Sequence, residues 1–346
     1  MRIGLYIFAS LAFIALLGAF VYTLELGGYR LDLLNITLPV TIWIILPALL
    51  LFIFTIAHMF FYGVKNYFVQ KKWQKDTQTL EDALYWSLVN EPKEQKYAIE
   101  NVKSSALLLG KASLVVSDNI EGLTPRLSRV VNIIQKIKNG EYIDFKEHKM
   151  SKVFHAGNPI LIQNRLNRLE NDEKFVEDVM RSNSEYSEPV QAVALDIFAK
   201  KEDFVKARKY AKVFDVKNFL VMLSRITHED NLGLNGDILN EFVNALELKC
   251  QDYVNIATIT KKYFKPEENL LLYREYQAKD ENAQNAYLYL LFEYELLDQV
   301  SNYLDEQEET DFIKFRALYQ LKKTNSKYKL NDIIDIPSVC AKSNFS

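Results

Sequence analysis

Glycine and proline are scarce in this chain, 11 and 8 in 346 residues, while Lys, Asn, Ile, Tyr and Phe abound. Few helix breakers and few turn signals leave a helix-friendly composition. Only two cysteines occur, Cys250 and Cys340, far apart in sequence. No disulfide scaffold is expected from them, and a reducing compartment is the easier reading. A strong basic excess is also missing: 42 Lys and Arg face 45 Asp and Glu, for a net charge of −3. That balance argues against a nucleic-acid binder. Charge is nearly absent from residues 1–64, which hold only Arg2, Glu25, Arg30 and Asp32. These cancel, so the whole net charge belongs to residues 65–346.

What fills the charge-poor region is two apolar runs. Ile3 to Leu24, "IGLYIFASLAFIALLGAFVYTL", carries no charge and as a helix covers about 33 Å, enough for a bilayer core. Thr41 to Val64, "TIWIILPALLLFIFTIAHMFFYGV", is comparable. Pro47 is expected to kink this second helix without ending it. His58, the sole ionisable residue in either run, reads as a neutral structural histidine near the membrane interface. The first run is too long for a signal-peptide core, and Arg2 is its only basic flank.

Orientation follows from the flanks. Lys65, Lys71, Lys72 and Lys75 follow the second run without an acid among them, whereas the connecting loop has the single basic residue Arg30. The positive-inside bias therefore places both termini in the cytoplasm and the loop, residues 25–40, on the outer face. "RLDL" within it alternates, but a loop is the expected conformation. Tyr67, Phe68 and Trp73 interleave with the four lysines. Such aromatics suit the headgroup level and such lysines attract anionic lipid headgroups.

From residue 76 onward the signals are helical. Thr79 and Asp82 have capping-box spacing before "ALYWSLVN". Thr124–Pro125, Asn158–Pro159 and Ser187 with Pro189 mark further helix starts, and Asn139–Gly140 marks an end. In "PVQAVALDIFAKKEDFVKARKYAKVF", residues 189–214, Ala194, Leu195 and Phe198 share one predicted helix, and Phe204, Ala207 and Ala211 share the next. Small residues at Ala194 and Ala207 let two helices approach, with Phe204 wedged between them. This arrangement resembles a tetratricopeptide unit that lacks the usual first-helix Trp and closing Pro. Predicted repeat starts at Ser187, Asp215, Asp252, Asn282 and Thr310 are 28, 37, 30 and 28 residues apart, around the tetratricopeptide period of about 34. In "NAYLYLLFEYELLDQVSNYL", hinged near Leu297–Asp298, the aromatics Tyr287, Tyr289, Phe292 and Tyr294 could line a peptide groove or pack between stacked helices.

The expected fold is thus all-α. Residues 1–64 form a transmembrane hairpin and 65–78 a basic juxtamembrane segment. A first helical part follows at 79–186, then tetratricopeptide-like repeats of a divergent α-solenoid at 187–325. Residues 326–346 form a cap and tail.

Two spans with a short outer loop, a basic exit and a cytoplasmic repeat domain resemble the layout of HemY-type inner-membrane proteins. The hairpin "GYRLDLLNITLPVTIWIILPALLLFIF" is similar to that of lipopolysaccharide-assembly-type inner-membrane proteins. The resemblance implies a bacterial inner-membrane scaffold or assembly factor, not an enzyme, and carries no catalytic motif with it.

Residue chemistry adds no catalytic signature. "LLLGKAS" holds Gly110–Lys111, but Ser105 and Ala112 occupy positions where a phosphate loop needs glycine and a hydroxyl. His148 and His155, seven apart, could share a helical face, yet a zinc site needs three or four ligands. His228 in "THED" reads as a solvated helix end. No cofactor or metal is expected. The expected role is a membrane-tethered adaptor, chaperone-like toward another inner-membrane complex such as envelope-lipid export, secretion or flagellar motor machinery. An enzyme or ligand sensor with an unrecognised helical site is the alternative.

Overall fold

The computed structural model describes residues 3–31, 36–117, 120–324, 330–333 and 339–340. The chain is mostly helical and divides into two units, Met1–Val131 and Asn132–Ser346.

In the first unit, α1 (Ile3–Thr23) packs against α2 (Val40–Leu88), and both are long and apolar enough to cross a membrane. Gly18 sets their approach: a Cβ there would lie 2.7 Å from Ile45 Cδ1. Between them the expected loop is a short antiparallel ribbon, β1 (Gly28–Leu31) on β2 (Ile36–Pro39), with Tyr29 opposite Leu38 and Arg30 opposite Thr37. Pairing satisfies backbone groups of the two strands, and Trp43 Nε1 donates to the Tyr29 carbonyl at 3.3 Å. Asn35 lies outside the described residues.

α2 runs unbroken for 49 residues, through Pro47 and well past the apolar run. The helix start expected at Thr79 does not exist. Thr79 Oγ1 instead donates to the Lys75 carbonyl at 2.9 Å, one turn back in the same helix. No Gly or Pro occurs between Lys65 and Leu88, so nothing halts propagation. Lys65, Tyr67, Phe68, Lys71, Lys72, Trp73 and Lys75 are all exposed along it. Asp76, by contrast, is buried beside the start of α3 (Glu100–Ala106). "LLLG" is a 3-10 turn and Lys111 pairs with Glu94 at 3.4 Å, so no phosphate loop forms there. α4 (Pro125–Lys138) begins as expected: Thr124 Oγ1 accepts from the Leu127 N–H at 3.4 Å and donates to Glu81 at 2.7 Å. It ends at Lys138, and Gly140 just beyond has a φ of +89° that suits glycine.

The second unit is a succession of helix pairs. These are α5 (Pro159–Asn171) with α6 (Glu173–Arg181), α7 (Glu188–Lys201) with α8 (Phe204–Ala207), and α9 (Val216–Ser224) with α10 (Gly236–Ala245). Then come α11 (Cys250–Tyr263) with α12 (Pro266–Lys279), and α13 (Gln284–Glu293) with α14 (Leu297–Asp305), before α15 (Ile313–Lys323) and the short α16 (Leu330–Ile333). The first helices pack in a row, α5 on α7, α7 on α9, α9 on α11 and α11 on α13; among the second helices α10 packs on α12. First helices begin at 159, 188, 216, 250, 284 and 313, steps of 28 to 34 residues.

Side-chain caps mark two of these starts, α5 and α9, and the starts of the second helices α8 and α10, while Ser187 makes no side-chain cap before α7. Asn158, Asp203, Asp215 and Asn235 each accept a hydrogen bond from a backbone N–H in the first turn that follows. α11 begins two residues before Asp252, which sits inside the first turn and accepts from the Lys249 N–H at 2.9 Å. Asn164 holds the loop after α4, pairing with both the N–H and the carbonyl of Ile143 at 2.9 and 2.8 Å.

Ala194, Phe198, Phe204, Ala207 and Ala211 are all buried. The helix expected to carry the last three is only one α-turn followed by a 3-10 turn, Arg208–Tyr210, so Ala211 lies beyond it. The chain bends there and brings Phe214 against Phe198 and Phe242, whose ring centroids are 6.1 and 5.2 Å away.

Cys250 and Cys340 are joined in a disulfide, with Cα atoms 5.8 Å apart. No disulfide is expected from two cysteines so far apart, and the bond runs against the reducing-compartment reading drawn from that expectation. Their separation of 90 residues concealed a proximity created by stacking α11, α13 and α15.

Candidate functional site

α9 is amphipathic. Its Asn218, Phe219, Met222 and Leu223 are buried, while Val216, Leu220 and Val221 pack on the core only in part and, with Lys217 and Ser224, present a second side at one-turn intervals. The start of α11 stands beside that side with Glu247, Lys249 and Asp252. The two elements enclose an open cleft of about 660 Å³. Its floor is aliphatic, and its rim carries two lysines and two acids. Asp252 is fixed by its bond to the Lys249 N–H, and Ser224 Oγ donates to the Val221 carbonyl at 2.7 Å. Such a surface offers apolar contact and ion pairing of both signs to an extended or helical segment.

The aromatic residues singled out in the sequence do not line it. Tyr287, Tyr289 and Phe292 are buried on α13, and Tyr294 is half-buried just beyond it. Tyr287 packs edge-on against Tyr303, Phe292 stacks on Phe315, and Tyr294 Oη accepts from Asn269 Nδ2 at 3.1 Å. They form core between α12, α13, α14 and α15, not a groove, because α13 is enclosed on every side. Burial raises the hydroxyl pKa of Tyr253, Tyr273, Tyr276, Tyr289 and Tyr294, and pushes that of Tyr303 up to about 12.

His148 and His155 are both exposed in the non-helical stretch after α4, so they share no helical face. His228 lies in a turn with its ring 5.4 Å from Tyr263. His58 contacts Tyr62, ring centroids 4.3 Å apart, within α2. The cleft residues themselves went unread in the sequence. The available signal was the pair Leu220–Val221, apolar residues flanking the fully buried stripe of α9 and only partly covered by the core.

Comparison with known protein families, with curated proteins and with solved structures finds no match to this chain.

Proposed function

We propose that this protein is a membrane-anchored, cytoplasmic helical-repeat adaptor that holds or helps assemble another inner-membrane complex. The row of first helices with an open, apolar-floored and charge-rimmed cleft between α9 and α11 supports this reading most directly. Stacked pairs at steps of 28 to 34 residues fit a divergent tetratricopeptide-like solenoid, in which side chains spared from stacking form the binding face. Two spans keep that face near membrane partners and raise its effective concentration, so that a weak site suffices. The lysine-rich exit at Lys65, Lys71, Lys72 and Lys75, with Tyr67, Phe68 and Trp73 beside it, favours the cytoplasmic side and contact with anionic headgroups.

The test is purification from native membrane in mild detergent, with identification of co-purifying proteins, for the wild type and for a Leu220→Asp, Val221→Asp variant. A membrane complex retained by the wild type and lost from a folded variant supports the adaptor. Equal retention by both sinks the assignment of the cleft.

A further inference from the structure

The only two cysteines of the chain meet within the second unit, where Val339–Cys340 lies against the start of α11. Cys250 is the first residue of the 14-residue α11, and Cys340 follows the buried Val339. Both sulfurs adjoin a cavity of about 910 Å³ framed by the starts of α13 and α15, including Asn285, Phe312 and Phe315. Of residues 325–346, the described contacts of the C-terminal segment with this core are Leu330, Val339 and the cysteine itself.

A permanent structural disulfide is uncommon on the cytoplasmic side of a membrane, where thiol pools keep cysteines reduced; disulfides found there are usually transient or redox-sensing. The surroundings suit reversibility. Both cysteines are half-buried rather than sealed, so a small thiol has access. A Cys250 thiolate released by reduction would sit at a helix N-terminus, facing the Asn285 amide whose Nδ2 already donates to its sulfur at 3.3 Å. Both features favour the thiolate and hence exchange.

We infer that Cys250–Cys340 is a redox latch: oxidation pins Val339–Cys340 against the cavity beside α13 and α15, and reduction releases them. This rests on the cytoplasmic adaptor reading and adds its regulation. In closing, the two thiols lose two electrons and two protons to a low-molecular-weight disulfide of the glutathione type, which leaves as two thiols. In opening, two such thiols supply both electrons and both protons and leave as a disulfide. Oxidation closes a loop spanning 90 residues of sequence, which restricts the released state and holds the segment down.

The experiment uses the full-length protein in mild detergent, equilibrated across a series of reduced-to-oxidised glutathione ratios. Alkylation followed by mass measurement counts free thiols, and hydrogen exchange follows 313–323 and 330–333. The expected result is passage from no free thiol to two across ratios spanning the cytosolic poise, with exchange in those segments rising several-fold on reduction. Cys340→Ser should exchange like the reduced protein at every ratio, and Cys250→Ser should match it, which guards against one variant that fails to fold. A pair that stays bonded at the cytosolic ratio, a pair that never bonds, or reduction without a change in exchange each overturns the latch. A reporter fused after Ser346 separates the two readings. Activity confined to the outside overturns the cytoplasmic placement, and the cytosolic trigger with it, while a locked pair on a cytoplasmic domain overturns the latch alone.

Discussion

The Asp76 carboxylate accepts the Ile99 N–H at 2.8 Å and the Ala98 N–H at 2.9 and 3.0 Å, so one acid on α2 ties down the chain as it enters α3. Asp76 itself is fully buried, although it follows directly on the exposed Lys75. Charged hydrogen bonds of this kind are each worth about 1.5–3 kcal/mol. Asp76→Ala should therefore destabilise the first unit by about 2 kcal/mol or more, read as faster hydrogen exchange at 98–106. Asp76→Asn, which keeps one acceptor oxygen, should lose less. Unchanged exchange in Asp76→Ala would show that the tie is dispensable.

The aromatic knot of the second unit is the next test. Phe204 is fully buried, with ring centroids 6.2 Å from Phe219 and 6.1 Å from Phe242, and Phe219 stacks on Phe242 at 4.8 Å. Phe204→Ala should cost about 3–5 kcal/mol through lost burial and a residual cavity. Ala207→Trp, at a fully buried position one turn along, should cost about 1–3 kcal/mol or more by overpacking. Thermal melting followed by circular dichroism reports both, and an unchanged midpoint for Ala207→Trp would mean that the contact is loose.

These two sites also show where sequence reading succeeded and where it stopped. Local chemistry was legible: Asn158, Asp215 and Gly140 punctuate helices for reasons contained in a few neighbouring residues. The buried pair Ala194 and Phe198 was legible too, since small and aromatic residues at helical spacing imply close packing. Three things were not. α2 passes Thr79 without a break because a good cap does not start a helix where a longer one already propagates. The stripe of Tyr287, Tyr289 and Phe292 packs inward because α13 is covered on all sides, which depends on Tyr303 and Phe315 of later helices and on α11 before it. The bond between Cys250 and Cys340 depends on the stacking of whole helices, to which a spacing of 90 residues gives no clue.

Alkali should expose the buried tyrosines. A hydroxyl whose folded pKa lies above its unfolded value of about 10 gives stability that is intact below about pH 10 and lost as pH rises through the folded value. Tyr303, pushed up to about 12 by burial with Tyr287 and Glu306 adding to it, sets the window. Tyr253, Tyr276 and Tyr289 shift in the same direction. The melting temperature should hold to about pH 9 and fall steeply between about pH 10 and 12. Tyrosinate absorbance should lag behind that of a denatured control. Tyr303→Phe should flatten part of the slope; tyrosines titrating normally in the folded protein would contradict their enclosure.

Membrane orientation is directly measurable. A reporter active only outside the cytoplasm should work when inserted near Asn35 and fail when fused after Ser346, because the lysines that follow the apolar part of α2 resist translocation. Replacing Lys65, Lys71, Lys72 and Lys75 with glutamine should weaken that preference and yield a mixed population. A C-terminal fusion active outside the cytoplasm in the wild type would reverse the assignment.

Substitutions in the cleft between α9 and α11 test the proposed adaptor against an enzyme. An adaptor loses function through a surface, so damage should scale with how much of the surface is spoiled. Leu220→Asp with Val221→Asp replaces the aliphatic floor by charge at partly buried positions that also pack against the core, so it should lower the melting temperature, and partner retention is read well below that midpoint, where circular dichroism shows intact helices. Partner retention should nevertheless fall at least about tenfold, the equivalent of about 1.4 kcal/mol of binding free energy. Reversing the rim charges, Lys217→Glu with Lys249→Glu, should act mainly on the association rate and its salt dependence. Alanine at His148, His155 or His228, one at a time, should leave client assembly in cells intact. Exchanging residues 1–64 for an unrelated two-span hairpin of the same topology should preserve part of the function, and removing the anchor should abolish most of it, if proximity to the membrane is what the hairpin supplies. A histidine that proves indispensable in a protein that still folds and still retains its partner would point away from an adaptor and toward an active site.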